Sequence, residues 1–454
     1  MKITNPANNQ LIKEVAEDTS NSINEKFELA QKAQVEWAKK SLDERLKCIQ
    51  TYNDLLDKNK ESLARDLSLE VGKPYQEALN EVNGARNRIK FFLENSKKWL
   101  SENHLNTDGN TKEVLGFDAL GVICNISAWN YPFLVGTNVF IPALIAGNAV
   151  LYKPSEFATL TGQNIATYLH GAGIPTDVFV PIIGGADVGE VLLNLPMDGY
   201  FFTGSYKTGK YIAEKVSSKL VPVGLELGGK DPLYVTDEIM DLKQVAGAVA
   251  EGCFYNNGQS CCAVERVYVH ENVYGEFMGH FLQEVKNLKV GDPMSKTTNQ
   301  GAITRPSHIA FLEEQVKDAT SKGAKLLYGG QRLGENGGFY SPTILTEVNH
   351  TMKVMTEESF GPVIGVMKVK NDEEAVKLMN ECEYGLTASV YSKNIERAKK
   401  IVGQVDAGTS YINCCDRVSA YLPWAGRKNS GLGATLSYLG ILAFTKPRSW
   451  HIRG

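Results

Sequence analysis

The sequence predicts an α/β protein built on two largely parallel sheets. Three observations predict it. From about residue 113, short apolar runs alternate with helical patterns, as crossover helices between parallel strands require. A second such series begins near Val264. Glycine is frequent, at 42 of 454 residues, which suits the many tight turns of such a fold.

The first 100 residues read as helical. Ile23, Phe27, Ala30, Ala33 and Trp37 recur at helical spacing, as do Leu42, Leu46, Ile49 and Leu56. Another helix is expected after Gly72-Lys73-Pro74, running to about Trp99. These helices would cover one face of a sheet. Candidate strands of the first series are 121–126, 149–152, 178–183, 199–203 and 220–226. Those of the second are 266–270, 324–328, 363–367, 387–391 and 409–413. The boundary between the two units falls near Gly228-Gly229-Lys230.

Composition narrows the function classes. Lys plus Arg total 48 and Asp plus Glu 52, a net charge of −4, against the basic balance of a general nucleic-acid binder. Residues 119–152 carry Asp118 only as a neighbour and no internal charge before Lys153, which raises a membrane question. Asn125, Asn130, Asn138, Asn148, Pro132 and Pro142 argue for buried strand, turn and helix instead. The opening residues lack the pattern of a leader, so a cytoplasmic protein is expected. Eight cysteines show no CxxC spacing and seven histidines form no HExxH, so no metal site is expected.

Five segments can carry chemistry. Lys153-Pro154-Ser155-Glu156 follows a strand end, where a ribose would bind in an open α/β sheet; as a lone segment it is equally a solvated loop. Thr203-Gly204-Ser205 opens a helix whose backbone N–H groups suit a pyrophosphate, although a simple capped turn explains it as well. The GxGxxG fingerprint is absent. Gly258-Gln259-Ser260-Cys261-Cys262 offers a thiol nucleophile behind a permissive glycine; for a single cysteine, core packing is the commoner explanation. Glu226 lies between apolar residues, where burial would raise its pKa and suit it to general-base work. Asn130, in Trp129-Asn130-Tyr131-Pro132, has an amide able to hold an oxyanion.

In this order and spacing the five segments resemble the aldehyde dehydrogenase superfamily. Glu357-Glu358-Ser359-Phe360-Gly361-Pro362 and Pro423-Trp424-Ala425-Gly426-Arg427 agree with it, and the resemblance covers nearly the whole chain. It implies a Rossmann-like NAD-binding domain over 1–100 and 120–229, and a catalytic domain over 230–429. It further implies a small β oligomerisation element from 101–119 and 430–454. Carried over by position, it makes Cys261 the nucleophile, Asn130 with the Cys261 N–H the oxyanion hole, and Glu226 the activator of water. Lys153 and Glu156 would hold the adenosine ribose, and Gly204 with Ser205 the pyrophosphate. Ile126, Trp129 and Leu227 would line the cofactor cleft, Glu358 would hold the nicotinamide ribose, and Phe360 would pack near the nicotinamide. Two segments depart from the family pattern: Ala128 replaces the usual Pro, and Trp424-Ala425 the usual Phe-Gly.

A carboxylate at Glu156 suits the free 2′-hydroxyl of NAD, with Lys207 leaving NADP open. The implied partner is a small aldehyde, and a homodimer or homotetramer is expected, without nucleic acid or membrane. Arg417, in the loop matching the family's substrate anchor, points to an anionic tail, because its planar fork pairs with a carboxylate. Arg88, on the helix after Pro74, ranks second, and Tyr131 would wall the tunnel. Together they suggest a short semialdehyde acid such as succinate semialdehyde. The alternatives are a dehydrogenase of neutral aldehydes and a cofactor-independent thiol esterase. Cys414 or Cys415 would be placed to form a disulfide with Cys261 under oxidation.

Overall fold

The structure is a computed structural model that describes residues 1–334 and 337–454. The expected N-terminal helices are Ser20–Lys39, Leu42–Val71 and Tyr75–Leu100. Ile23, Phe27, Ala30 and Trp37 on the first, and Leu46, Ile49 and Leu56 on the second, are buried. Thr19 and Ser41 start these two helices with reciprocal capping boxes. The expectation fails before Thr19: Lys2–Thr4 pairs antiparallel with Leu11–Glu14. Those short runs have too few residues to show a period, and the following helices dominate the pattern.

The first sheet has the strand order Gly431–Leu432, Val223–Glu226, Gly199–Thr203, Val122–Ile126, Ala149–Lys153, Phe179–Pro181. All neighbours are parallel except the first pair. The chain enters at Val122–Ile126, winds outward on one side, then crosses back and winds outward on the other. The switch point lies between Val122–Ile126 and Gly199–Thr203, where ligands of doubly wound sheets sit. Register completes the arrangement. Ile126 lies opposite Lys153, and Thr203 opposite Glu226, so these residues share the sheet's carboxyl edge. Residues 119–152 form strand, turn, the helix Pro132–Ala146 and strand; among the described residues no helix is long and apolar enough to cross a membrane.

The second sheet has seven strands: Lys325–Tyr328, Thr343–Thr346, Val363–Val369, Val264–His270, Asp231–Val235, Thr387–Tyr391 and Thr409–Ile412. Asp231–Val235 and Thr343–Thr346 are strands that the sequence reading lacks. Asp231-Pro232 looks like a turn, yet Asp231 is buried and accepts from Thr387 N (3.1 Å) and Oγ1 (2.6 Å). That distant partner is what admits a carboxylate to a central strand. A third sheet joins Asn103–Asp108, Thr111–Ala119 and Thr445–Arg453. The tail from 430 is therefore divided. Gly431–Leu432 completes the first sheet, Ser437–Leu442 is a helix, and only Thr445–Arg453 joins the third sheet.

Candidate active site

Among the cavities of the described residues, two, of about 1060 and 860 Å³, are within or near the range of small-molecule sites. Cys261 lines both. The first runs along the carboxyl edge of the first sheet; the second is a tunnel beside the helix Tyr75–Leu100.

The loop before Cys261 is shaped by three successive left-handed residues, Asn256, Asn257 and Gly258 (φ 53°, 56° and 66°). Asparagine tolerates this conformation better than most residues. At Gly258 a side chain would press 2.6 Å from the Gly361 carbonyl, so only glycine fits. The Asn256 N–H donates to Glu77 Oε2 at 3.0 Å, and the Asn257 amide to the Gly301 carbonyl at 2.9 Å. The thiol of Cys261 is left half-buried between the cavities.

Asn130 is pinned through its backbone. Its carbonyl accepts from Lys73 Nζ (2.7 Å) and Asn256 Nδ2 (3.2 Å), while its side-chain oxygen is buried without a partner. Lys73 also bonds the buried Glu81 carboxylate, which accepts from Phe133 N at 2.9 Å. Glu226 lines the first cavity with Cys261. Its Oε1 accepts from Thr435 Oγ1 at 2.8 Å and its Oε2 has no partner. Burial pushes its pKa up to about 8, against the lowering effects of the Thr435 hydroxyl and the Arg88 charge. A carboxyl so placed can take a proton from water near neutral pH.

The residues expected at the cofactor all face the first cavity. Lys153 and Glu156 lie at one end, Gly204 and Ser205 open the helix Tyr206–Val216, and Ile126, Trp129 and Leu227 form the wall. Glu358, Phe360 and Cys261 line the same cavity. Ser205 is also the helix cap, accepting from Thr208 N at 3.4 Å, as the capped-turn reading expects. A dinucleotide fits the donors present. The Lys153 ammonium is buried, makes only a 3.4 Å contact to the Pro154 carbonyl, and has no carboxylate within 4 Å among the described residues. Ribose hydroxyls would supply the acceptors it lacks. Phe360 meets Trp129 edge-on at 5.4 Å. The Glu358 carboxylate accepts from Gly229 N at 3.0 Å and occupies the space a side chain at Gly228 would need.

The tunnel changes the ranking of the arginines. Arg417 is 70% exposed and faces Glu251 at 3.8 Å, at the tunnel's mouth. The loop Cys414–Arg417 turns through Asp416 at φ 48°, and Asp416 rather than Arg417 points inward, accepting from Cys262 Sγ at 2.9 Å. Arg88 is the inner cation. Its guanidinium is half-buried and donates to Asn138 Oδ1 (2.8 Å) and the Leu134 carbonyl (3.3 Å), with no ion pair among the described residues. Burial lowers its pKa to about 10, opposed by Cys262, Cys261, Glu81 and Glu226 nearby. Tyr131 lines the tunnel with the Lys73 ammonium 3.8 Å over its ring. Tyr255 and Tyr421 line it too, whereas Phe254 is core. Cys415 faces the Tyr391 hydroxyl and the Ala248 carbonyl, both at 3.7 Å, and the described cysteines are free thiols.

Several contributors escaped the sequence reading. Lys73 entered that reading only as part of the run before a helix, and Glu81 not at all. Thr435 is 209 positions from the Glu226 it bonds. Arg305 and His308 enter the first cavity from the second sheet's side, with Arg305 5.2 Å over the Phe157 ring. None has a local signal, because each acts across a tertiary contact.

A doubly wound sheet whose carboxyl edge opens into a cleft ending on a thiol and a buried carboxyl defines a dinucleotide-linked oxidoreductase. The chain matches the aldehyde dehydrogenase family over residues 1–450, and it belongs to that family. It is 34% identical over 426 residues to a succinate-semialdehyde dehydrogenase (NADP+) of Deinococcus radiodurans, covering 93% of this chain and 88% of that one. It is 32% identical to a peroxisomal aminoaldehyde dehydrogenase of Malus domestica over 97% of this chain and 90% of that one. The solved NAD-dependent aldehyde dehydrogenase of Sinorhizobium meliloti superposes with a TM-score of 0.96 at 32% identity, covering 100% of this chain and 91% of that one. The protein is an NAD(P)-dependent aldehyde dehydrogenase.

Proposed function

We propose that this enzyme oxidises a short aldehyde bearing a carboxylate, of the size of succinate semialdehyde, to the corresponding diacid. The observation that carries this is Arg88: a half-buried guanidinium with no ion-pair partner among the described residues, lining the same tunnel as Cys261. A partly desolvated charge held only by neutral acceptors gains from a charged partner, and a substrate carboxylate would supply one. The tunnel's acids do not favour a cationic substrate instead. Glu77 accepts from Asn256 N, Asp416 from Cys262, and Glu251 faces Arg417. The Deinococcus relative is in keeping with the anionic reading.

In this reading the Cys261 thiolate attacks the aldehyde carbon, forming a C–S bond, and the side-chain amide of Asn130 with the Cys261 N–H holds the oxyanion. The bound nicotinamide supplies the acceptor for the hydride that leaves this carbon. Collapse of the oxyanion leaves a thioester on Cys261. Glu226 takes a proton from water, whose oxygen adds to the thioester; the acid departs and the thiolate returns. Lys153 and Glu156 are placed to hold the adenosine ribose, and the Glu156 carboxylate favours NAD over a 2′-phosphate. Self-association through the three-stranded sheet, where Leu105, Trp450 and Ile452 are exposed, belongs to the same reading.

Arg88→Gln should raise KM for succinate semialdehyde by about 10–100-fold, the loss of a charged hydrogen bond, and leave butanal within about twofold. Steady-state kinetics on both, with an aminoaldehyde as a third substrate, tests it. Equal effects on the two aldehydes would sink the anionic pocket.

A further inference from the structure

Glu265 lies four residues beyond Cys261, on the strand Val264–His270, and does not face either cavity. It is 4% exposed, and its carboxylate is crowded with donors. Oε2 accepts from Lys230 Nζ (2.7 Å) and Ser359 N (2.7 Å), and Oε1 accepts from Phe360 N (2.9 Å). Lys230 Nζ, itself buried, also bonds Ser359 Oγ at 2.9 Å. On the far side of the segment, the Ser359 carbonyl is 2.8 Å from His308 Nε2.

Such a buried ion pair is a poor source of net stability, since desolvation consumes most of its attraction. Its geometry has a different consequence. Phe360 is held at φ 47°, a left-handed conformation that is strained for a non-glycine residue. Two amide hydrogen bonds to one carboxylate fix that turn. The turn in turn sets the Phe360 ring against Trp129 and places the Glu358 carboxyl on Gly229.

We propose that Glu265, with Lys230 as its counter-ion, is a positioning residue for the nicotinamide end of the cofactor site. It acts through the backbone of Ser359 and Phe360 and touches neither cofactor nor substrate. This rests on the cofactor-site reading above. Without the clamp the turn relaxes, Phe360 and Glu358 lose their placement, and the adenosine end, built on Lys153, Glu156 and Ser205, is untouched.

The test is calorimetric titration with NAD and with ADP, which lacks the nicotinamide half. Glu265→Gln keeps the side chain's shape but leaves Lys230 buried without a counter-charge. The double variant Lys230→Gln/Glu265→Gln removes that cost and is measured beside it. In both, Kd for NAD should rise about tenfold while Kd for ADP stays within about twofold. Equal weakening of both ligands, or unchanged NAD binding, overturns the proposal. Normal wild-type NAD binding with unaltered variants sinks this proposal alone; a wild type that binds no NAD sinks the cofactor-site reading and this with it. Amide hydrogen exchange on the wild type gives a second arm. Slow exchange at Ser359 and Phe360 without cofactor is expected, and exchange as fast as an open loop overturns the clamp whichever variants fold.

Discussion

Glu226 shows how one side chain's environment sets its chemistry. The residue is acidic by composition, but burial holds its proton up to about pH 8. Its base form therefore grows as pH rises through that value, and hydrolysis of the thioester should accelerate with it. Glu226→Gln should lower steady-state turnover by about 10²–10⁴-fold, the range for general-base loss, while leaving the hydride step intact. Rapid mixing should then show a burst of reduced nicotinamide near one per Cys261. Loss of the burst along with turnover would assign Glu226 elsewhere. Gly258 was equally legible as a permissive residue before the thiol, whereas the left-handed Asn256 and Asn257 beside it appear only in the structure. The direction of Arg88 and Arg417 was not: a side chain's aim depends on what packs against its element.

At the scale of elements, helices and strands were read from spacing where spacing existed. The three long N-terminal helices and most parallel strands follow their apolar periods. Asp231–Val235 did not, because its acidic start is hydrogen-bonded by Thr387 on a strand far along the chain. The helix Thr159–Gly171 makes the same point. Its Ala158 position offers no side-chain cap. Glu70 caps it instead from the helix Leu42–Val71, accepting from Leu160 N (2.6 Å), Thr161 N (2.8 Å) and Thr161 Oγ1 (2.7 Å). Glu70→Ala should strip three partners at once and cost about 1–3 kcal/mol or more in urea unfolding. A loss near zero would mean water replaces the carboxylate.

At the scale of the whole molecule, buried carboxyls outnumber what their partners can ionise. Burial raises Glu70 to about 7, and Glu77, Glu226 and Asp231 to about 8. Each binds its proton more tightly folded than unfolded. Their contribution is fully present below the ordinary carboxylate range and is lost as pH rises through 7–8. The lowered acids Asp18 and Asp318 lose theirs only in acid, below that window. Thermal unfolding should therefore give a lower Tm at about pH 8.5 than at about pH 6. A Tm that rises across this interval would contradict the burial of these groups.

The sequence by itself determined the family, because the segments around Asn130, Lys153, Ser205, Glu226 and Cys261 each occupy a short contiguous stretch in a telling order. It also determined the crossover architecture, because periodicity is local. Tertiary structure decided which arginine faces inward, which lysine pins Asn130, what holds Glu226 and what fixes Phe360. Those outcomes depend on partners brought together by strand register and burial across tens to hundreds of positions. A desolvated charge is settled by its neighbours in space, and the chain order does not state them.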